Sequence, residues 1–173
     1  VDGIRQICAA HAKFGTTSLL PTLITDTPEI TAAAIEAGLD AKTAGVPGFL
    51  GLHLEGPHLS VARKGTHHPA LIRLMEDADL QRLLAVADKF DALMITVAPE
   101  NTTVEQVKSL AEAGFIVSLG HTNATYETAK AYADAGARVV THLFNAMSPL
   151  ENRSPGLVGA AFDLGELSCG IIA

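Results

Sequence analysis

The chain has 173 residues, 48% of them hydrophobic and 18% charged, a length and composition that suit about one folded domain with a real core. Lys and Arg number 12 against 19 Asp and Glu, a net charge of −7, which argues against nucleic acid as the partner. No apolar run approaches the ~20 residues of a membrane span, so no membrane partner is expected. Cys8 and Cys169 form no CxxC pair and fit a reducing, cytoplasmic setting better than a disulfide scaffold. The opening Val1-Asp2-Gly3-Ile4-Arg5 is not a signal peptide and lacks an initiator Met, which points to an internal piece of a longer protein.

Strand and helix patterns alternate along the chain. Thr17 to Ile24 is a short, partly β-branched apolar run. Thr27-Pro28-Glu29 reads as an N-cap followed by Pro at the first helical position, leading into an Ala-rich helix over 29–45. Phe49 to Glu55 is a second strand, followed by a loop over 56–70 rich in Gly, Pro, Ser, Thr and His. A helix is expected over 77–89, a strand from Ala92 to Val97, a helix over 102–113 and a strand from Phe115 to Leu119. A helix over 124–135 then ends at Gly136. Arg138 to His142 is a fifth strand, and Cys169-Gly170-Ile171-Ile172 starts a sixth.

Near-continuous apolar strands alternating with helices imply a parallel sheet covered on both faces, hence an α/β fold, either doubly wound or a (β/α) barrel. Glu55, His121, His142 and Asn145 all fall at or just past the C-terminal ends of strands. A barrel gathers those ends at one mouth, whereas an open sheet spreads them along a line. The expectation is therefore a partial (β/α)8 TIM barrel of about six of the eight strands, with residues 1–173 as its central part.

One carboxylate and two imidazoles at equivalent strand ends, Glu55, His121 and His142, form a ligand set for a catalytic divalent metal that keeps a position open for water. His53 lies two residues before Glu55 and shares its face of the strand, either as a partner that orients a ligand or as a core histidine. The basic loop from His58 to Pro69 is either a cover for an anionic ligand or a solvated surface loop. Asn145 lies just beyond His142 and can hold substrate hydroxyls. Arg153 can clamp a phosphate through two hydrogen bonds, or stand exposed in a turn-rich connection.

Taken in order, Gly51-Leu52-His53-Leu54-Glu55-Gly56-Pro57, Lys64-Gly65-Thr66-His67, Gly120-His121-Thr122-Asn123-Ala124, Thr141-His142-Leu143-Phe144-Asn145-Ala146-Met147 and Arg153-Ser154-Pro155-Gly156 closely resemble the N-acetylglucosamine-6-phosphate deacetylases of the amidohydrolase superfamily. Leu20-Pro21-Thr22-Leu23-Ile24-Thr25 adds to the likeness. The resemblance implies that Glu55, His121 and His142 hold a divalent metal, usually zinc. It implies that His67, Asn145, Ala146 and Arg153 bind substrate, with His67 near the acetamide and Arg153 on the phosphate. The implied reaction converts N-acetylglucosamine 6-phosphate to glucosamine 6-phosphate and acetate in a cytoplasmic homodimer.

The family's general acid is an Asp at the end of a later strand, which the resemblance places beyond Ala173. The first strand, the last strand and a small β-sandwich of the family also have no match here. No catalytic residue is therefore assigned within 1–173, and the chain alone is expected to be nearly inactive. Asp163 is the one nearby carboxylate to consider as a substitute. Two rival readings stand beside this one: a deacetylase for a related amino-sugar phosphate such as N-acetylgalactosamine 6-phosphate, and a non-catalytic fragment that binds a metal and a sugar phosphate.

Overall fold

A computed structural model describes residues 1–172. Six strands, β1 (Thr22–Ile24), β2 (Gly51–Glu55), β3 (Ala92–Val97), β4 (Ile116–Leu119), β5 (Ala137–Val140) and β6 (Ser168–Cys169), form one sheet in the order β1-β2-β3-β4-β5-β6. Every neighbouring pair is parallel. A doubly wound sheet reverses its strand order at a switch point; this sheet runs strictly in sequence, which is the order of a partial (β/α) barrel.

The helices are α1 (Asp2–Ala12), α2 (Pro28–Thr43), α3 (Asp77–Leu84), α4 (Val104–Glu112), α5 (Tyr126–Asp134) and α6 (Gly156–Asp163). Local chemistry starts several of them. Thr27 caps α2, with Pro28 at its first position and the Thr27 hydroxyl accepting from the Ile30 N–H. Thr103 and Gln106 form a reciprocal capping box on α4, and Thr125 caps α5.

Along β2 the alternation divides the work. Leu52 and Leu54 join the core with Leu93, Ile95, Val117 and Leu119, while His53 and Glu55 lie on the opposite side of the strand. Satellite packing of Cys8, Ala41 and Val46 docks α1 on α2. Cys8 is buried and Cys169 exposed, and neither forms a disulfide. Among the described residues no helix is long and apolar enough to cross a membrane.

Several boundaries differ from the sequence expectation. The run 17–24 pairs as a strand only over its last three residues, with a lone bridge from Leu19 to Phe49. The helix expected over 77–89 stops at Leu84, and 87–89 form a separate 3-10 turn. Helices α1 and α6 were not expected. The glycines and preceding Pro155 of Gly156–Asp163 read locally as a turn, but Leu157, Val158, Ala160 and Ala161 bury themselves in the core, so tertiary packing overrides propensity.

The loop 56–70 is not simply a solvated cover. His58, Leu59, Ser60 and His67 are buried. His58 Nδ1 lies 3.1 Å from the Arg73 carbonyl, and the Ser60 N–H donates to the His121 carbonyl at 2.9 Å, so this loop folds onto the ends of the strands.

Candidate active site

The ends of β2, β4 and β5 deliver the site. Glu55 is the last residue of β2, in register with Thr96 of β3. At the end of β4, a Cβ on Gly120 would stand 2.9 Å from Thr96 Cγ2 and 3.2 Å from Thr141 Cβ, so the close approach of strand ends suits glycine there. His121 then turns inward with φ +49. The expected strand 138–142 ends at Val140; His142 stands two residues further on, in a left-handed turn of φ +37, which swings its ring into the mouth.

All four non-glycine residues with positive φ among those described, His121, His142, Phe144 and Ala146, lie in the loops after β4 and β5. Such a conformation costs of order 1–3 kcal/mol each and persists where surrounding contacts dictate it. The contacts here are main-chain bonds between the two loops and to the last strand. Thr122 N–H donates to the Ala146 carbonyl at 3.2 Å, Ser148 N–H to the Thr122 carbonyl at 3.0 Å, and Leu143 N–H to the Gly170 carbonyl at 2.7 Å.

Glu55, His121 and His142 meet. Glu55 Oε1 lies 3.2 Å from His121 Nε2 and 3.1 Å from His142 Nε2, and the two Nε2 atoms are 2.9 Å apart. Two ring nitrogens and a carboxylate oxygen at mutual distances near 3 Å approach the spacing of about 3.4 Å that ligands keep around a tetrahedral zinc. His121 Nδ1 donates to the Arg63 carbonyl at 2.8 Å, which leaves a lone pair on Nε2 toward Glu55. His142 Nδ1 is buried with no hydrogen-bond partner among the described residues, and its Nε2 faces Glu55 and His121. This donor set fits a divalent cation.

His67 reaches the same cluster from the loop, its Nε2 3.7 Å from Glu55 Oε2 and its ring centroid 4.5 Å from that of His121. Glu55, His67 and His121 each offer an atom within 4.8 Å of the others, a second possible metal trio. Tautomers separate the two sets. The Thr25 N–H donates to His67 Nδ1 at 3.3 Å, and the Thr25 hydroxyl lies 2.8 Å from the same atom. An accepting Nδ1 puts the proton on Nε2, making His67 a donor toward the mouth where His121 is an acceptor.

Burial acting alone would raise the Glu55 carboxyl, but the His121 and His142 rings at its Oε1 outweigh burial and hold it well below the usual carboxylate range. The hydrogen bond to Glu55 raises His142. Burial lowers His67 and His53, keeping both rings neutral.

His53 makes no hydrogen bond to the cluster among the described residues. Its Nδ1 lies 3.0 Å from Thr22 Oγ1 and its Nε2 2.7 Å from Thr96 Oγ1; Thr96 continues to Thr141 at 2.7 Å and Thr141 to Ser118 at 2.6 Å. It is a satisfied core histidine in a polar layer that links four strand residues and Thr141, just past β5, below the mouth.

The remaining residues singled out in the sequence are less gathered. Asn145 is exposed, and its amide nitrogen donates to the carbonyls of His142 and Leu143, both at 3.3 Å, so it shapes the turn that aims His142. Ala146 supplies its carbonyl to Thr122. Arg153 stands on the exposed turn Glu151–Ser154, with no side-chain hydrogen bond or ion pair among the described residues. Asp163 ends α6 and accepts from the Tyr126 hydroxyl of α5, in the helical layer, which removes it as a substitute acid.

Four supporting residues escaped the sequence reading: Thr25 behind His67, Arg63 behind His121, Asn123, which accepts from Arg63 Nε, and Glu100, which accepts from the Thr122 hydroxyl at 2.6 Å and the Asn123 N–H at 2.7 Å. Thr25, Arg63 and Asn123 stood inside segments singled out in the sequence without a role of their own, and Glu100 carried no signal.

No protein-family model matches the chain. Its sequence is 46% identical to N-acetylgalactosamine-6-phosphate deacetylase of Shewanella sp. (strain ANA-3) over 172 residues, covering 99% of this chain and 43% of that protein. It is 42% identical to N-acetylglucosamine-6-phosphate deacetylase of Haemophilus influenzae over 173 residues, covering 99% of this chain and 45% of that protein. Among solved structures, N-acetylglucosamine-6-phosphate deacetylase from Pasteurella multocida superposes with a TM-score of 0.82 at 42% identity, over 91% of this chain and 41% of that one. The enzyme of that name from Thermotoga maritima gives 0.79 at 28% identity, over 90% and 42%. By sequence and by fold, over nearly its whole length, the chain is related to the N-acetylglucosamine- and N-acetylgalactosamine-6-phosphate deacetylases, of which it spans less than half the length.

Proposed function

We propose that this chain forms the central, metal-binding part of a (β/α) barrel that hydrolyses the N-acetyl group of N-acetylglucosamine 6-phosphate, releasing acetate and glucosamine 6-phosphate. The observation that carries the reading is the convergence of Glu55 Oε1, His121 Nε2 and His142 Nε2 within 3.2 Å of one another at the strand ends. Zinc is the ion best suited to one carboxylate and two imidazoles. The chemistry a divalent cation supplies there, when bound, is Lewis acidity beside the acetamide carbonyl and a water of lowered pKa.

The chain's own residues do the rest of what is assigned here. Glu55 stays ionised and His121 carries its ring proton on Nδ1, so a carboxylate oxygen and an Nε2 lone pair face the position the cation would take. His67, neutral and with its proton on Nε2, is the donor for the carbonyl oxygen as negative charge builds on it. The amide of Asn145 and the main chain of Ala146 flank His142 and serve the sugar hydroxyls. Arg153, free of any intramolecular partner among the described residues, is the cation for the 6-phosphate. The departing amine must take a proton as the C–N bond breaks, and no residue of this chain is assigned to give it. A homodimer in the cytoplasm accompanies this reading; the exposed rings of Phe144 and Phe162, 6.1 Å apart, are apolar surface of the kind that a subunit contact covers.

The test is a chimera in which this chain replaces the matching segment of the Haemophilus influenzae deacetylase. It should release acetate from N-acetylglucosamine 6-phosphate and lose that activity with Glu55→Ala. A folded, zinc-loaded chimera without turnover would overturn the reading. The 46% identity to a galactosamine-type deacetylase favours a second substrate, so the same chimera is assayed with N-acetylgalactosamine 6-phosphate. The ratio of the two kcat/KM values decides between the epimers.

A further inference from the structure

On the helix side of the sheet α2 and α3 part and leave a cavity of about 350 Å³, bordered also by Gly56, Pro57 and His58 of the loop after β2. That is within the range of small-molecule sites. Its apolar wall is Ile35 and Leu39 of α2, Leu54 of β2, Leu83 of α3, Val86 just after α3, and Ile95 of β3. Leu54 and Ile95 belong to the core face, the opposite side of β2 and β3 from Glu55, so this cavity is separate from the metal cluster.

Its polar lining is uneven in charge. Arg73, Arg82 and Lys89 face it, against Asp79 and Glu36, in a chain whose overall charge is −7. Both guanidinium groups share the one buried carboxylate, Asp79. Lys89 has no ion-pair partner among the described residues. Two uncharged polar side chains remain, Thr31 and His58, and His58 has its Nδ1 engaged with the Arg73 carbonyl. An apolar wall with surplus positive charge at its rim matches one kind of occupant.

We propose that the cavity between α2 and α3 is a binding site for a small amphipathic anion, an aliphatic or aromatic body with one carboxylate or phosphate. The body takes the place of water against Leu54, Ile95 and Leu39. The anionic end lies at the rim, where Lys89 and the outer nitrogens of Arg82 are free to donate. Burial of a short aliphatic chain supplies most of the affinity, and the charge supplies discrimination.

Octanoate and octyl phosphate are the probes, with octan-1-ol as the uncharged control, titrated into the intact chain by calorimetry and ligand-observed NMR. Saturable one-to-one binding is expected for both anions, and binding at least roughly tenfold weaker for the alcohol. Lys89→Glu, at an exposed position, should weaken octanoate by roughly tenfold while leaving the alcohol unchanged. Ala32→Trp, which fills the opening from α2, should remove binding of all three. A preference for the phosphate over the carboxylate, or the reverse, identifies the natural head group. Equal affinity for octanol and octanoate, no saturable binding, or binding indifferent to both substitutions would overturn the proposal. The last of these would place the probes on the open edges of the sheet. If Ala32→Trp does not fold, the Lys89→Glu comparison decides alone.

Discussion

His121 donates from Nδ1 to the carbonyl of Arg63, 2.8 Å away and 58 residues earlier in the chain. That one bond turns the other nitrogen of the ring to Glu55, and it distinguishes His121 from His67, whose Nδ1 accepts instead. The chain should therefore bind about one zinc. His121→Ala and His142→Ala should each weaken zinc binding by well over the 10–100-fold typical of an outer-shell loss, whereas His67→Ala should leave near-stoichiometric metal. Competition with a chromophoric chelator measures this directly. Zinc retained by His142→Ala but lost by His67→Ala would assign the metal to the other trio. Arg63→Ala should change little, because the acceptor is main chain.

Strand ends were legible before the fold was known because parallel strands buried on both sides are written as continuous apolar runs, and Glu55 and His121 close two such runs. His142 was found by residue type but placed inside a strand; a left-handed φ at a non-glycine residue leaves no local trace. The supports were not legible. Thr25 meets His67 across 42 positions and Arg63 meets His121 through a carbonyl, and a main-chain acceptor has no sequence signature. Helix α6 was hidden by its glycines, which serve close packing: a Cβ on Gly156 would stand 2.5 Å from the Pro149 carbonyl oxygen.

Asp79 should make stability depend on acid pH. Burial raises its carboxyl, but Arg73 and Arg82 outweigh burial and depress it well below the usual range; the Glu76 N–H also donates to it. The unfolded reference is about 3.9. A folded-state pKa below that value means the contribution is full above about pH 4 and is lost as pH falls through the folded value. Asp79→Asn should cost about 1–3 kcal/mol at neutral pH, and its deficit should narrow below pH 4. Urea midpoints at pH 3 and pH 7 check this. A deficit that is the same at both would show that the ion pairs contribute nothing.

Gly56 joins Glu55 to the loop that carries His67. Its φ is +91, and a Cβ there would stand 2.1 Å from Thr25 Oγ1 and 3.1 Å from Leu59 Cδ1. Gly45 provides the control, with φ +59 and nothing within 4 Å. Gly45→Ala should cost only the left-handed backbone, about 1 kcal/mol or a fall in Tm of about 2–4 °C. Gly56→Ala adds displacement of Thr25, the partner of His67, and should cost at least about 2–3 kcal/mol. Equal effects at the two positions would mean that the Thr25 contact yields without cost.

The open sheet sets the behaviour of the isolated chain in solution. Strand β1 at one edge is three residues long and β6 at the other is two, and no further strand among the described residues covers either edge. Ile24 at the first edge is 48% exposed, and Ile171 and Ile172 beyond the second are 69% and 67% exposed. Unpaired main-chain groups beside exposed isoleucines invite edge-to-edge pairing. Sedimentation velocity at micromolar concentration should therefore show dimers or larger species. Placing Lys at both 171 and 172 puts charge against the pairing edge and should shift the distribution toward monomer. A monodisperse, cooperatively unfolding monomer of the unaltered chain would contradict the expectation, and would mean that the short edges are blunted by their own twist and brevity.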